Sequence, residues 1–582
     1  MRQFLKFVLA TIVGMVLFCI IGIMFLVGLA SSATKEKKTT IETNSVLRLD
    51  LNYTIHEKNE ENPFASLGLG STKPKKSTGL TDIRASIKKA KTDDNIKGIY
   101  LDLGLNDNGL ATIEAIRDAL IDFRKSGKFV YSYGEVVSQK QYYLATASDQ
   151  IFINPSGGME IKGFGREIMY YKGMFDKLGI EVQDFHCGAF KSAIEPYIRT
   201  NMSEPNRQQL TLIYGDVYNH FISNIASARK IDTAKLNNIV NNLMAETPEK
   251  DIELKLIDGA LYYDQVLDKI KEKVGVDKKK DVNFIDLSKY ASTLPNDVTE
   301  TNKIAVVYAE GEIVDGEGGD DNIGGESFAK IIRKLRKDTN VKAIVLRVNS
   351  PGGSALASDI MWRELVLAKK EKPLIVSFGD LAASGGYFIS CMGDKIYAQP
   401  NTITGSIGVF GLVPNAKKLF TDKLGITFDE VKVTKHGVLG GLTKPLDAEE
   451  SAFAQRNVEK TYREFKSRVA EGRRKDTAYI ESIAQGRVWT GTQGIANGLV
   501  DEIGGLDEAI AYAAQKANLK NYRLKEYPEE KSLADKIAES FSDMKMQMIK
   551  EQLGDNYELY KTMTWMKTAT GVQARMVYDL GL

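Results

Sequence analysis

The sequence predicts an α/β fold with mainly parallel strands, present twice in tandem along 582 residues. Short β-branched runs, such as Ile99–Leu103 and Ala343–Val348, are each followed by an amphipathic helical stretch, here Leu110–Arg124 and Ala355–Lys370. This alternation is typical of a parallel sheet covered by helices. The two halves also repeat each other at a fixed spacing, which indicates two copies of one domain.

The repeat keeps its register over a long stretch of chain. An offset of 245 to 246 residues aligns three pairs of segments: Ile96–Leu103 with Val341–Val348, Tyr133–Glu135 with Phe378–Asp380, and Asp176–Ile180 with Asp422–Ile426. Late in each half, Asp258 and Asp501 occupy matching places before similar helical stretches. We therefore predict a first repeat over residues 44–295 and a second over residues 302–527.

The N-terminus predicts a membrane anchor. Residues 7–30 form a run of 24 residues without a charge, preceded by Arg2 and Lys6. At about 1.5 Å per helical residue this run spans ~36 Å, enough to cross a bilayer with some tilt. A secretory signal peptide has a shorter apolar core, although the small residues Ser31–Ala33 keep cleavage open as an alternative. The short basic tip favours an N-inside orientation, with three lysines beyond the run acting against it.

Three other segments lie outside the repeats. Residues 31–43, polar and rich in lysine, are predicted to form a stalk, and residues 58–78, with their proline and glycines, a surface insertion in the first repeat. The tail, 528–582, has no counterpart in the first half and is expected to be helical through Met546. Its role is not indicated by any motif.

Composition excludes several classes of function. A net charge of +2, from 78 basic and 76 acidic side chains, gives no reason to expect a nucleic-acid partner. The four histidines show no pair at ligand spacing, so we expect no metal site, and the three cysteines form no disulfide framework. The chain has no Gly-Lys-Ser/Thr phosphate-binding motif. We expect no cofactor.

The second repeat carries a candidate nucleophile. A strand ending at Asn349 leads into a Gly-rich turn, and a second buried strand, Leu374–Gly379, runs towards Ser384 at the start of a helix. A Ser at such a strand-to-helix turn is open to attack a carbonyl, and the helix dipole favours negative charge beside it. The backbone N–H groups of Gly353 and Gly385 are then expected to form an oxyanion hole. One Gly-rich Ser turn alone, however, more often just packs a tight helix start.

The first repeat carries a candidate base. A Ser hydroxyl needs a base to become a nucleophile. The first repeat has Phe190–Ser192, with Lys191 at its centre, where the second repeat has His436–Val438. Burial lowers the pKa of a Lys enough for it to serve as general base, and Ser–Lys dyads are a known variant of the catalytic triad. Conversely, the first repeat lacks the Gly-rich Ser turns of the second. The two copies have therefore lost complementary parts of one site.

Several motifs, occurring in order, resemble the signal peptide peptidase A (protease IV) family of serine peptidases in its long, duplicated form. The resemblance covers the anchor and both repeats. It rests on five segments: Phe190–Tyr197, Arg347–Gly353, Ala382–Tyr387, Thr404–Gly408 and Gly486–Gly491.

The resemblance implies a Clp-protease/crotonase-like fold with one Ser–Lys dyad shared between the halves. Ser384 would be the nucleophile, Lys191 the general base, and Ser406 the hydroxyl that orients the Lys amine. It further implies a homotetramer, anchored by one transmembrane span, on the outer, periplasmic face of the bacterial inner membrane. The implied substrates are cleaved signal peptides and other unfolded apolar peptides.

Three other functions fit parts of the pattern. A crotonase-like acyl-CoA enzyme would use the same paired N–H groups on a thioester enolate. An inactive membrane scaffold of the same fold would have lost Ser384 or Lys191, yet both are present. A Ser–His enzyme would use His436 in place of Lys191.

Overall fold

The computed structural model describes residues 40–59, 78–105, 108–294, 299–319, 322–529, 571–576 and 580–582, with isolated residues between 6 and 18 and between 549 and 560. Within this part of the chain, no helix is long and apolar enough to span a membrane. Most of the predicted anchor, 7–30, lies outside the described residues. So do most of the stalk, the insertion and the predicted tail helix.

The first half forms a six-stranded sheet flanked by helices. Its strands, together with β5, which belongs to another sheet, are β1 (Ser45–Asp50), β2 (Ile96–Asp102), β3 (Phe129–Val137), β4 (Gln150–Met159), β5 (Glu181–Cys187), β6 (Gly259–Ala260) and β7 (Phe284–Asp286). Its helices are α1 (Leu80–Thr92), α2 (Leu110–Arg124), α3 (Gln139–Ala145), α4 (Lys172–Leu178), α5 (Glu195–Ile198), α6 (Glu204–Arg229), α7 (Thr233–Asn241), α8 (Pro248–Glu253), α9 (Tyr263–Val274) and α10 (Leu287–Ala291). The strand order is β6-β4-β3-β2-β1-β7, and all five pairings are parallel.

The second half forms a larger, eight-stranded sheet and also contributes strands to a third sheet. Its strands are β8 (Lys303–Glu310), β9 (Glu312–Val314), β10 (Asn322–Gly324), β11 (Val341–Ser350), β12 (Gly352–Ser354), β13 (Leu374–Ala383), β14 (Lys395–Ala398), β15 (Ile403–Gly405), β16 (Val409–Asn415), β17 (Val488–Thr490), β18 (Glu502–Ile503), β19 (Arg523–Tyr527) and β20 (Gln573–Arg575). Its helices are α11 (Gly325–Lys337), α12 (Ala355–Lys369), α13 (Gly385–Ser390), α14 (Ala448–Arg473), α15 (Thr477–Ile483), α16 (Gly491–Ala496) and α17 (Leu506–Lys516). The main strand order is β17-β15-β13-β11-β8-β19.

The predicted α/β class with parallel strands is confirmed. The helix predicted over Leu110–Arg124 is α2, with the same bounds, and the one predicted over Ala355–Lys370 is α12, one residue shorter. The buried residues of β11, from Ala343 to Val348, form a continuous apolar run broken only by Arg347. Such a run is expected for a strand covered on both faces.

Asp258 in the first half and Asp501 in the second make equivalent hydrogen bonds to a strand of their own sheet. The Asp258 carboxylate accepts the Ile151 N–H at the start of β4, and the Asp501 carboxylate accepts the Ile396 N–H in β14, both at 2.8 Å. Each carboxylate also receives an arginine, Arg229 in the first half and Arg473 in the second. The matching positions seen in the sequence therefore hold the same place in both sheets.

A third sheet joins the halves. Its order is β10-β9-β12-β20-β16-β5, so that β5 of the first half lies at one edge of strands from the second half and the tail. Strand β5 pairs antiparallel with β16 over seven residue pairs, from Val409 opposite Cys187 to Asn415 opposite Glu181. The chain segment that follows β5 is thereby carried into the second half.

A buried ion pair also links the halves. The Arg347 guanidinium on β11 donates to the Glu57 carboxylate at 2.9 Å, and the two side chains are only 4% and 3% exposed. The same guanidinium donates to Ser377 Oγ at 2.9 Å and to the Phe378 carbonyl. A buried charge is costly once its partner is removed.

We predict that Arg347→Met lowers the free energy of unfolding by about 3–5 kcal/mol, because it leaves the Glu57 carboxylate buried without its cation. The matched control, Lys334→Met, removes the cation of an exposed pair with Glu529 and should cost less than about 1 kcal/mol. Urea unfolding of the full chain measures both. Equal losses in the two variants would contradict a stabilising role for the buried pair.

Candidate active site

Ser384 occupies a strained turn between β13 and α13. Its backbone has φ 54° and ψ −112°, a region that residues other than glycine rarely adopt. The turn is held because the Ser384 N–H donates to the Gly405 carbonyl and the Phe388 N–H donates to the Ser384 carbonyl, both at 2.8 Å. This strand–turn–helix arrangement is the one in which a Ser hydroxyl projects from the end of a sheet.

Lys191 reaches the same place from the first half. It lies four residues after β5, in a turn where the Phe190 N–H donates to the Gln485 carbonyl at 2.9 Å and the Lys191 N–H to the Gly188 carbonyl at 3.2 Å. A short 3₁₀ helix, Ser192–Ile194, follows. The Lys191 side chain is 3% exposed, and Ser384 is fully buried.

The structure brings three of the predicted residues together. Lys191 Nζ lies 2.9 Å from Ser384 Oγ, and it donates to Ser406 Oγ at 3.0 Å and to the Ser406 carbonyl at 3.2 Å. Ser406 itself has a positive φ of 49°, and its N–H donates to the Arg487 carbonyl at 2.7 Å. The amine is therefore surrounded by neutral oxygen acceptors on two serines.

Burial changes the charge of this lysine. Removal from water disfavours the ammonium form and lowers the pKa of Lys191 to about 7, with burial as the one cause. A Lys at its ordinary pKa is protonated at neutral pH, whereas a large part of the Lys191 population is a free amine there. Such an amine has a lone pair able to accept the Ser384 proton.

Two glycines make room for the lysine. A Cβ added at Gly486, where φ is +76°, would lie 2.6 Å from Lys191 Cβ, and one added at Gly408 would lie 3.2 Å from Lys191 Cδ. The first distance is shorter than real Cβ contacts, and the second is tighter than most of them. The glycines of the Thr404–Gly408 and Gly486–Gly491 motifs thus give the Lys191 side chain its path to Ser384.

The two predicted oxyanion glycines lie in adjoining turns. Gly385 opens α13, and Gly353 lies in β12 beside Gly352, whose φ is +92°. A Cβ added at Gly352 would lie 2.5 Å from the Gly385 backbone nitrogen. Both glycine N–H groups therefore belong to one small region next to Ser384.

Sequence reasoning missed the tail as part of this region. Strand β20, Gln573–Arg575, pairs antiparallel with β12 on one side and with β16 on the other. Residues of the tail also line a small cavity that contains Lys191 and Ser406. The alternation of apolar Val572, Ala574 and Met576 with polar neighbours is a strand signal that was available in the sequence.

The corresponding turn of the first half is built differently. Ser138 there precedes α3 as Ser384 precedes α13, but it has an ordinary extended backbone, φ −69° and ψ 158°. Its hydroxyl accepts the Gln141 N–H at 3.3 Å as a helix cap. The neighbouring Lys140 donates to the Asn108 carbonyl at 3.2 Å. Ser138 is therefore a capping residue.

His436 is engaged elsewhere. Its ring lies 3.1 Å from the Glu449 carboxylate on the surface. Within the described part of the chain, the hydrogen-bond partners of the Ser384 hydroxyl are Lys191 and the Gly408 carbonyl. The structure therefore favours Lys191 over His436 as the group that acts on Ser384.

Comparison with known proteins identifies a peptidase family in both halves of the chain. The sequence model of peptidase family S49 matches residues 122–277 and 367–520, one match in each half. The chain is 37% identical to "Protease 4" of Salmonella typhi, covering 81% of this chain and 78% of that protein. It is 34% identical to "Protease 4" of Haemophilus influenzae, over 96% and 90%. It is also 34% identical to "Serine protease SPPA, chloroplastic" of Arabidopsis thaliana, over 76% and 66%.

Proposed function

This chain belongs to peptidase family S49 and is a serine peptidase, and we propose that Ser384 and Lys191 are its catalytic dyad. The observation that carries the proposal is the 2.9 Å separation of Lys191 Nζ and Ser384 Oγ inside a buried site. The two residues come from different halves of one chain. A dyad shared between the halves also explains why each repeat lacks the part of the site that the other one keeps.

The proposed first step is attack on a peptide carbonyl. A neutral Lys191 has two N–H groups, which its contacts with Ser406 accommodate, and a lone pair directed to the Ser384 hydroxyl. Ser384 Oγ bonds to the carbonyl carbon while its proton moves to Lys191. The N–H groups of Gly353 and Gly385 stabilise the resulting oxyanion, each by about 3 kcal/mol.

The later steps use the same groups. Lys191, now an ammonium, gives its proton to the leaving amine, and an acyl ester remains on Ser384. Lys191 then takes a proton from water, and the hydroxide attacks the ester carbon. The bond from that carbon to Ser384 Oγ breaks, Lys191 returns the proton to Oγ, and the peptide leaves with a new carboxyl group. Ser406 keeps the amine aimed at Ser384 in both stages and acts as a positioning residue.

The serine peptidase assignment is not consistent with the acyl-CoA enzyme or the inactive scaffold. We assign the two halves to the Clp-protease/crotonase-like fold, since each half stacks helices against a mainly parallel sheet and places its turns at the strand ends.

We further propose a homotetramer anchored through residues 7–30 to the bacterial inner membrane, with the catalytic halves outside. Spent signal peptides and other unfolded apolar peptides are the proposed substrates, because extended chains can reach a buried Ser.

We expect Ser384→Ala and Lys191→Ala each to lower peptide hydrolysis by at least about 10³-fold, as removal of a group that works as part of a unit does. The matched control is Ser138→Ala, which removes the hydroxyl at the corresponding turn of the first half and should keep activity. Hydrolysis of an unstructured apolar peptide, together with mass measurement after a serine-directed acylating probe, tests all three. Substantial peptide hydrolysis by either dyad variant would contradict the catalytic roles of Ser384 and Lys191.

Activity should depend on pH around neutrality. The base must be neutral, and the pKa of Lys191 is about 7, so kcat/KM should rise roughly tenfold between about pH 6 and about pH 8 as the amine loses its proton. Measurement of kcat/KM for one uncharged peptide across this range tests the expectation. A flat profile, or a rate that falls with pH, would argue against Lys191 as the base.

Substrates should be discriminated by their state of folding. We expect rapid digestion of an apolar signal-peptide mimic and little digestion of a stable folded domain, because unfolding costs about 5–15 kcal/mol. The full chain in detergent is tested on both substrates, with Ser384→Ala as the blank. The same domain, permanently unfolded by core substitutions, is the matched substrate and should be cut. Equal digestion of the folded and unfolded forms would refute the proposed substrate class.

A further inference from the structure

Arg487 and the aromatic rings of Phe190 and Trp489 form a cluster beside the proposed dyad, here called the Arg487 cluster. The guanidinium carbon lies 5.0 Å from the centre of the Phe190 ring and 4.3 Å from the centre of the Trp489 ring. All three residues are half-buried, so each keeps surface that a ligand can reach. Contacts with ring faces leave the guanidinium N–H groups available for acceptors in its own plane.

The cluster adjoins both residues of the dyad. Phe190 directly precedes Lys191 in the chain. Trp489 packs on Gly405, where an added Cβ would lie 2.7 Å from the indole Cδ1, and the Gly405 carbonyl accepts the Ser384 N–H. A peptide that reaches Ser384 therefore passes close to the Arg487 cluster.

Hydrogen bonds hold the cluster in place. The Arg487 N–H donates to the Ala484 carbonyl at 2.9 Å, and the Arg487 carbonyl accepts the Ser406 N–H at 2.7 Å. The Trp489 indole N–H donates to the Ile483 carbonyl at 3.0 Å. Because the backbone and one ring are already fixed, a ligand that binds the guanidinium has little left to order.

The Arg487 guanidinium has no anionic partner among the residues that the structure describes: it makes neither an ion pair nor a hydrogen bond with any of them. Burial lowers the pKa of Arg487 as the one cause, with no carboxylate acting against it, yet a guanidinium remains charged at neutral pH. Other arginines of the two halves are paired, namely Arg229 with Asp258, Arg347 with Glu57 and Arg473 with Asp501. Arg487 is thus a partly desolvated cation whose anion must come from elsewhere.

The carboxylate of Glu481, in the same connection between α15 and β17, is engaged by other groups. It accepts the Tyr462 hydroxyl at 3.2 Å and also accepts from Lys466 Nζ and the Gln485 side-chain amide. These contacts occupy both of its oxygens. Glu481 therefore does not serve as the anion for Arg487.

The cation occurs only in the repeat that carries Ser384. At the repeat offsets of 246 and 245 residues, the first repeat has Asn241 and Asn242 in place of Arg487. The Asn242 side-chain amide donates to Asn238 at 2.9 Å, at the end of α7. The first repeat thus has a neutral local hydrogen bond where the second has an unpaired cation next to the nucleophile.

A carboxylate is the anion that suits this cluster. The planar fork of a guanidinium matches the two oxygens of a carboxylate and binds them with two parallel hydrogen bonds. The substrates proposed above are apolar peptides, in which acidic side chains are scarce. The anion that all of them share is the carboxylate at the C-terminus, and a peptide acquires this group where an earlier hydrolysis has released it from a longer chain.

We propose that Arg487 binds the C-terminal carboxylate of the peptide substrate, and that the enzyme thereby selects peptides which an earlier hydrolysis has released. The proposal rests on the peptidase site proposed above and assigns to Arg487 a role in specificity. Because Phe190 joins the cluster directly to Lys191, the bound end lies close to the dyad. First cuts therefore fall near the C-terminal end of a peptide, and a chain without a free end nearby is a poorer substrate.

Two peptides of one unstructured apolar sequence, one ending in a free acid and the other in an amide, test the proposal. We expect the wild-type KM to be about tenfold lower for the acid, because a charge-assisted pair of hydrogen bonds is made only with it, and kcat to be similar for both. Arg487→Gln should raise KM for the acid about tenfold and leave the amide unchanged. The matched control, Arg456→Gln, removes an exposed arginine on α14 and should keep the preference.

Three results would overturn the proposal. One is an equal wild-type KM for acid and amide, which would leave the dyad standing. Another is an equal loss of kcat for both peptides in an Arg487→Gln chain with the wild-type urea midpoint, since the guanidinium would then only support Phe190 and Lys191. The third comes from two amidated peptides ending in Glu or Gln: a preference for Glu without any preference for the free acid would assign Arg487 to an acidic side chain. If Arg487→Gln loses stability, Arg487→Lys replaces it, and its preference for the acid should also fall because the planar fork is absent.

Binding to an inactive chain separates this proposal from the dyad. Fluorescence anisotropy of labelled peptides with full-length Ser384→Ala should show about tenfold tighter binding of the acid than of the amide, and addition of Arg487→Gln should remove the difference. If the wild-type chain hydrolyses neither peptide, the proposed dyad fails, whereas this difference in binding still decides the role of Arg487. Equal binding of acid and amide by Ser384→Ala would overturn carboxylate recognition.

Discussion

Strand β5 of the first half pairs with β16 of the second in an antiparallel ladder of seven residue pairs. The pair at one end is Cys187 with Val409; Lys191 follows the former by four residues and Ser406 precedes the latter by three. A slip of one residue would turn every side chain of β5 to the opposite face. The contact between Lys191 and Ser406 therefore depends on this register, and so does the meeting of amine and hydroxyl at Ser384.

Burial then gives the assembled groups their chemistry. The lysine amine has been moved out of water into a place where its contacts are hydroxyl and carbonyl oxygens, so the free amine is favoured over the ammonium. Ser384 remains in a backbone conformation that costs about 1–3 kcal/mol, and the surrounding sheet holds it there. Reactivity at this site is thus a property of the packed halves, since neither residue is unusual in an unfolded chain.

The sequence was sufficient for the α/β class, for helix α2 and for the expectation that Lys191 and Ser384 belong together. These rest on local periodicity and on a comparison of two copies, both of which a single chain contains. Strand β5 crossing into the second half could not be predicted, because pairing between distant strands leaves no periodic mark. The three-residue strand β20 was missed because so short an alternation is weak evidence by itself. The capping role of Ser138 depends on a backbone angle that the sequence does not specify.

Gene duplication ordinarily creates a spare copy that can absorb damage, and this chain has given up that protection. Ser138 caps a helix where Ser384 has its strained turn, and the second half has Gly437 where the first has Lys191. A harmful mutation at either Ser384 or Lys191 therefore has no second version to fall back on. A proposed dyad that takes one residue from each half makes the two halves a single functional unit.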